Sequence, residues 1–383
     1  MQRENLFTEE QHLFRDAYRK FLLQEVVPHR EDWREQGIVP REMFTKMGAQ
    51  GYLLTWADEA YGGLGIEDFR YQQIMIEEDA THGEPGFFHT LHSRLVAPYL
   101  KHFGNDEQKA RFIPPCVSGE CILAVAMTEP DVGSDLAGMK TRAHEQQDHW
   151  VLSGSKTYIS NGINGDLVIV AAKTNPDNPR HIGLFLVERG MQGFERGRNL
   201  KKMGLKAQDT AELFFNDVKI PKANVLGDPH KGLHYLMQGL AEERLIGATG
   251  YIANCQRAFD ITRDFVQQRK AFGQTIADFQ NTRFKLATLR AEIDIAQTYL
   301  DKCVEMHNQG ELTADMAAKA KLYNSELEGR MTDEGVQLHG GAGYMEEYEI
   351  CRMYTNARIS RIYAGSSEIM REIIARAIFN QGR

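Results

Sequence analysis

CILAVAMTEPDVGSDLAG, residues 121–138, is where the texture of this 383-residue chain changes. It begins as a short apolar run and dissolves into a loop of Thr, Glu, Asp, Ser and Gly. The runs that follow share its character: HWVLSGSKTYIS (149–160), DLVIVAAK (166–173), HIGLFLVE (181–188) and AELFFNDVKIP (211–221). Turn pairs such as Asn161-Gly162 and Asn175-Pro176 separate them. Short apolar or alternating runs between turns predict an antiparallel β-domain of about a hundred residues, closed by Pro221.

Both flanks read as helical. Upstream, LFRDAYRKFLLQEVV (13–27) carries helical periodicity that Pro28 ends, and YGGLG (61–65) and THGEPG (81–86) mark loops. Downstream of Asp228-Pro229, long helical runs are interrupted at 271–273, 308–310, 340–343 and 364–365, as expected of a helical bundle. The chain therefore divides into an all-α segment (1–120), a β segment (121–225) and a helical-bundle segment (226–383). The fold class is α+β.

Composition narrows the function. Hydrophobic residues make up 42% and charged residues 26%, the balance of an ordinary globular protein. A net charge of −8 without Lys/Arg blocks disfavours nucleic acid and anionic membranes. Five scattered cysteines with no C-x-x-C pair point to reduced thiols and away from structural zinc. The start, MQRENLFTEEQ, has neither signal-peptide nor transit character, and no apolar run approaches the ~18 residues of a membrane span. The expectation is a soluble, cytoplasmic bacterial protein. No H-E-x-x-H and no Cys/His cluster indicates a metal, and no G-x-S-x-G indicates a nucleophile elbow.

Three stretches combine chemistry with loop-forming residues. AMTEPDVGSDLAG (126–138) offers hydroxyls and backbone N–H groups to a polar ring edge or a phosphate, and equally reads as a capped turn. QQRKAFG (267–273) puts cations at a helix C-terminus, where the dipole alone would favour them. QLHGGAGYM (337–345) ends a helix in glycines, suited to a helix stop or to a pyrophosphate on backbone.

Taken in order, AMTEPDVGSD, KTYISNG, RKAFG, QLHGGAGYM and IYAGSSEI resemble the acyl-CoA dehydrogenase family, over residues 6–378. The resemblance implies an N-terminal helical domain, a middle β-domain and a C-terminal four-helix bundle, in a homotetramer with one FAD per subunit. It implies α,β-dehydrogenation of an acyl-CoA to the trans-2-enoyl-CoA, with a β-hydride passed to flavin N5 and electrons then to an electron-transferring flavoprotein. By matching position, Ala126, Met127, Thr128, Gly133 and Ser134 lie along the flavin, and Ser134 also meets the CoA thioester. Tyr158, Ile159 and Ser160 form a second flavin contact, and Ser366, Ser367 and Glu368 a third. Arg269, Phe272 and Gln280 reach the FAD of a neighbouring subunit, and Gln337, Leu338, His339, Gly340 and Gly341 meet a pyrophosphate.

The general base departs from the commonest family pattern. Most such chains carry it as Glu in a Tyr-Glu-Gly turn, but here the turn reads Tyr363-Ala364-Gly365. The branch of long-chain and isovaleryl-CoA dehydrogenases places the base on the facing helix, in a motif similar to LAEERL (240–245). In that register Glu243 is the base and Arg244 lines the substrate pocket with Tyr363, Ala364 and Gly365. Glu242 lies about 100° away around the helix and is the decoy. Alanine at 364 leaves room for the incoming carboxylate, while its backbone N–H remains free to polarise the thioester carbonyl. The other readings are an acyl-CoA oxidase using O2 on the same fold and a non-catalytic acyl-CoA-binding relative. Straight, branched and isoprenoid acyl chains all remain open.

Overall fold

Residues 3–379 are described by a computed structural model, which leaves the first two and last four residues of the outer segments outside the described part. Six α-helices come first: α1 (Glu9–Phe21), α2 (Arg30–Gln36), α3 (Glu42–Ala49), α4 (Phe69–His82), α5 (Ala97–Phe103) and α6 (Asp106–Val117). Their ends carry the expected caps. Thr8 and Gln11 form a capping box on α1, as do Asn105 and Gln108 on α6, each satisfying donors that a bare terminus would leave unpaired. A π-type turn over Leu91–Val96 leads into α5.

Seven strands follow: β1 (Leu123–Ala126), β2 (Arg142–Glu145), β3 (His149–Ser160), β4 (Leu167–Lys173), β5 (Ile182–Glu188), β6 (Phe194–Asn199) and β7 (Thr210–Pro221). They form one sheet, ordered β1-β4-β2-β3-β7-β6 with β5 paired to β4. The sheet is mixed, which corrects the antiparallel expectation. β1 runs parallel to β4, with Leu123 opposite Leu167. The loop and the β2–β3 hairpin between them provide enough chain for a crossover, and turn-based reading pairs only sequential neighbours.

The continuous apolar run of β4 has a simple cause. Leu167, Ile169 and Ala171 point into a core shared with the N-terminal helices, while Val168, Val170 and Ala172 point into the core of the sheet. β5 divides the same way, with Leu184 and Leu186 on one side and Phe185 and Val187 on the other. A strand buried on both faces has no polar phase. The first two sequence segments therefore share one core across their boundary.

The last segment comprises α7 (Gly232–Gln268), a β8–β9 hairpin (Lys270–Ala271, Gln274–Thr275), α8 (Gln280–Asn308), α9 (Ala314–His339), α10 (Glu349–Ala357) and α11 (Ser367–Phe379). α7, α8, α9 and α11 pack as the bundle, with α10 against α9 and α7. α4 joins the two halves, because Phe69 and Ile76 enter the bundle core while Met75 enters the N-terminal one.

One buried ion pair fixes the loop after β1. Lys156 on β3 is fully buried and donates to Glu129 Oε1 at 2.9 Å and to the Met127 carbonyl at 3.0 Å. Glu129 also accepts the backbone N–H groups of Lys140 and Thr141. These bonds hold the Glu129 carboxyl below its ordinary range despite its burial. The loop is thereby clipped to β3, with Thr157 N–H donating to the Thr128 carbonyl at 2.9 Å. Lys156→Met strands the carboxylate and should cost about 3–5 kcal/mol. Chemical denaturation of Lys156→Met beside the Lys156→Met/Glu129→Gln double variant measures this, and the double variant should regain part of the loss.

Candidate active site

A cavity of about 420 Å³ opens where the N-terminal helices, the sheet and the bundle meet. α7 supplies one wall through a stripe at helical spacing: Glu243, Ile246, Gly247, Gly250, Tyr251 and Asn254. α4 and the segment after it face this stripe with Ile76, Ala80, Phe87 and Leu91. Met127, Thr128, Tyr158, Ile159 and Ser160 close the cavity from the β-domain, and Tyr363 and Ala364 close it from the turn before α11.

The three charged residues of LAEERL point in three directions. Glu243 faces the cavity, and its carboxylate hydrogen-bonds no other described residue. Its desolvation raises the pKa to about 7, opposed by the positive charges of Arg244 and Lys321. Glu242 turns instead toward Arg94 at 3.6 Å and His307 at 3.8 Å. Arg244 is buried, does not line the cavity, and leaves Nε without a hydrogen-bond partner. The arginine thus lies beside Glu243, behind the cavity wall, where the sequence reading had it lining the pocket. Successive residues on a helix diverge by about 100°, so only one of three can share the cavity.

The turn opposite Glu243 is shaped by two left-handed residues, Ala364 (φ 53°) and Gly365 (φ 86°). A non-glycine residue there carries a conformational cost. The fully buried Lys321 of α9 donates to the Gly365 carbonyl at 2.6 Å and stabilises the turn. Burial and the Arg244 charge bring the Lys321 pKa down to about 8, with Glu243 opposing the shift. Gly365 therefore contributes to the site through its backbone.

The remaining residues anticipated from sequence lie elsewhere. The Ala126 side chain is in the sheet core, while Gly133 and Ser134 are exposed on the loop. Ser366 caps α11 through Ile369 N–H at 3.4 Å, the Ser367 hydroxyl is buried without a partner, and Glu368 is exposed. Arg269, Phe272 and Gln280 lie exposed at the ends of α7 and α8, with Phe272 96% accessible. Gln337, Leu338, Gly340 and Gly341 mark the end of α9, outside the cavity. The His339 ring is packed on Phe265 with centroids 4.1 Å apart.

Sequence reasoning missed Lys321, Glu328, Asp79, His89 and Asn254. Lys321 and Glu328 had a signal, since they interrupt the buried stripe Ala317, Asn324 and Met331 of α9 at helical spacing. Glu328 lines the cavity, accepts from Asn254 Nδ2 at 2.7 Å, and is raised by burial to about 8.

Known proteins match the chain over nearly its whole length. Three acyl-CoA dehydrogenase family profiles match in sequence: the N-terminal domain over residues 8–120, the middle domain over 124–218 and the C-terminal domain over 230–379. The chain is 46% identical to the mitochondrial long-chain specific acyl-CoA dehydrogenase of Mus musculus, covering 97% of this chain and 87% of that protein. It is 35% identical to the mitochondrial isovaleryl-CoA dehydrogenase of Pongo abelii, covering 97% and 89%. The crystal structure of an acyl-CoA dehydrogenase from Geobacillus kaustophilus superposes with TM-score 0.96 at 45% identity, over 97% of this chain and 99% of that one. An acyl-CoA dehydrogenase from Bacillus anthracis, complexed with FAD, superposes with TM-score 0.91 at 31% identity, over 98% and 68%.

Lys321 opposes the desolvation of Glu243, so removing its charge must move the carboxyl further up. Difference infrared titration of Lys321→Met, referenced to Lys321→Met/Glu243→Gln, should place the Glu243 carboxyl above the value of about 7 expected for the unmodified protein.

Proposed function

The chain belongs to the acyl-CoA dehydrogenase family of FAD-dependent oxidoreductases, and from that premise we propose that Glu243 is the general base that takes the α-proton of an acyl-CoA. The observation carrying this reading is the unpartnered Glu243 carboxylate on the cavity wall, facing a turn whose usual acidic position is Ala364. A thioester α-proton is weakly acidic, so a base near pKa 7 is well matched to it once the carbonyl is polarised. The backbone N–H of Ala364 is suited to that polarisation, and Lys321 holds the adjoining carbonyl in place.

The β-domain wall fits a flavin. Thr128, Tyr158, Ile159 and Ser160 share the cavity with Glu243, and Tyr158 is 69% exposed in a left-handed conformation (φ 60°) that presents its ring. Met127, Thr128, Tyr158, Ile159 and Ser160 would hold the ring system, with Ala126 contributing backbone alone. Gly133, Gly340 and Gly341 leave open space where a side chain would begin, as backbone contact with a phosphate requires. FAD, when bound, supplies the acceptor for the β-hydrogen and its electron pair. Proton loss to Glu243 and departure of that hydride leave the trans-2-enoyl thioester.

Arg269, Phe272, Gln280, Gln337, Gly340 and Gly341 are exposed and do not line the cavity, which supports a role toward the cofactor of a neighbouring subunit. Phe272, Phe284 and Ile295 are apolar and more than half exposed on the bundle, consistent with the homotetramer. Transfer of electrons to an electron-transferring flavoprotein and a place in fatty-acid or branched-chain catabolism belong to the same reading.

Glu243→Gln should retain FAD and acyl-CoA binding while anaerobic flavin reduction slows by about 10³-fold or more. Glu242→Gln should slow it far less, since that carboxylate faces Arg94 and His307. Near wild-type reduction in Glu243→Gln overturns the assignment, and rapid H2O2 release selects the oxidase instead. Because the base must be ionised, the rate in the unmodified enzyme should rise with pH through about 7.

A further inference from the structure

The cavity changes character along its length. Beside Glu243 it is walled by Ile246, Gly247, Gly250, Ile76 and Leu95, with no charge other than the base itself on those positions. A Cβ added at Gly250 would meet Ile76 at 3.7 Å, so α4 and α7 lie close there. Both helices run the same way, since His82 at the end of α4 feels the charge of Arg257 on α7. One turn beyond Ile76 and Gly250 the lining becomes polar, with Asp79 and His89 on one side and Asn254 and Glu328 on the other. Asn254 lies eleven residues past Glu243 on α7, or about 16 Å along the helix.

His89 has the geometry of a held imidazole. Its Nε2 is 2.8 Å from Asp79 Oδ2, and Tyr18 donates its hydroxyl to Asp79 Oδ1 at 2.8 Å. The ring is 2% exposed, lies in the cavity wall, and leaves Nδ1 buried without a partner. A neutral ring donating Nε2–H to Asp79 leaves Nδ1 as an acceptor with nothing to accept. An unmet buried acceptor is costly, and a purely hydrocarbon tail would leave it unmet. Across the cavity, Asn254 donates to Glu328 Oε1 at 2.7 Å while Glu328 Oε2 is also buried without a partner, so this end of the cavity holds unmet polar atoms on both walls, His89 Nδ1 among them.

We propose that the polar end of this cavity receives a hydroxyl carried near the far end of the substrate's acyl chain, with His89 Nδ1 accepting its hydrogen bond and Asp79 positioning the ring. The inference rests on the reading of Glu243 as the base, because that fixes which end of the chain is oxidised. The separation of the two ends suits a chain of roughly a dozen carbons. Hydroxylated acyl-CoA thioesters of that length are the substrate class, and their supply requires a preceding oxygenation of the chain.

The test compares dodecanoyl-CoA with 12-hydroxydodecanoyl-CoA on the FAD-loaded enzyme, by anaerobic flavin reduction and by binding to Glu243→Gln, where chemistry is blocked. The unmodified enzyme should favour the hydroxylated thioester by about tenfold or more in kcat/KM, the same preference appearing in Kd. In His89→Leu that ratio should fall to about one, and His89→Gln should recover part of it. Equal use of both thioesters by the unmodified enzyme overturns the proposal while leaving the base assignment intact, and this holds even where a His89 variant fails to fold. Preference for the mono-CoA ester of dodecanedioic acid overturns it in favour of an anion site. Reduction by neither ester, with wild-type Glu243, removes the underlying reading and the proposal together.

Discussion

A carboxylate that must titrate near neutrality inside a protein has to be desolvated without being silenced, and much of this site is arranged around that requirement. Burial alone would carry the Glu243 proton far above its ordinary range. Direct pairing with a cation would carry it below, as happens to Glu129 on Lys156. The structure does neither. Arg244 and Lys321 oppose the desolvation of Glu243 through space, without any hydrogen bond to its carboxylate, and the result lies at about 7. Because neither cation binds the carboxylate, its oxygens stay available to a ligand in the cavity.

Lys321 couples that electrostatic balance to backbone geometry. The same ammonium that lowers Glu243 is anchored on the Gly365 carbonyl at 2.6 Å, in a turn with two successive left-handed residues. A change in the turn therefore moves the cation, and a change in the cation alters both the base and the donor opposite it. In the reaction proposed for Glu243, this lets the base reside on α7 when the turn offers only alanine. The turn retains its backbone role, and the charge it lacks is supplied from the facing helix at a position where α9 can tune it.

Much of this arrangement was legible in sequence, and the parts that were not share a physical cause. The α–β–α order and the breaks at 308–310 and 340–343 follow from local patterns, periodicity and turn residues, whereas the choice of Glu243 over Glu242 comes from the resemblance to the long-chain and isovaleryl branch, the 100° step of a helix saying only that the two face different ways. The parallel β1–β4 pair depends on a crossover, which no run of adjacent residues encodes. Arg244 differs from its expected place because the motif fixes which residues are neighbours along the chain, not which side of the cavity wall each side chain takes. Lys321 left a faint trace as a cation in a buried stripe. His89 left none, since its meaning depends on Asp79, Tyr18 and a cavity assembled from three parts of the chain.

That three-part assembly also explains why a single helix can run the length of the cavity while the chemistry changes along it. α7 contributes a repeating stripe, but the opposite wall is borrowed from α4, from the segment before the π-type turn and from the sheet. Near Glu243 the borrowed side chains are apolar and protect the base from water, which keeps its pKa raised. Farther along, α4 turns Asp79 inward, and the segment before the π-type turn brings His89 against it. α4 is buried on two sides, with Met75 in the N-terminal core and Phe69 and Ile76 in that of the bundle, so the helix that carries Asp79 is fixed from both. A buried histidine fixed by a carboxylate and a tyrosine has little freedom to seek another partner. Its remaining nitrogen therefore selects among ligands, and the rigidity of the surrounding core makes that selection possible.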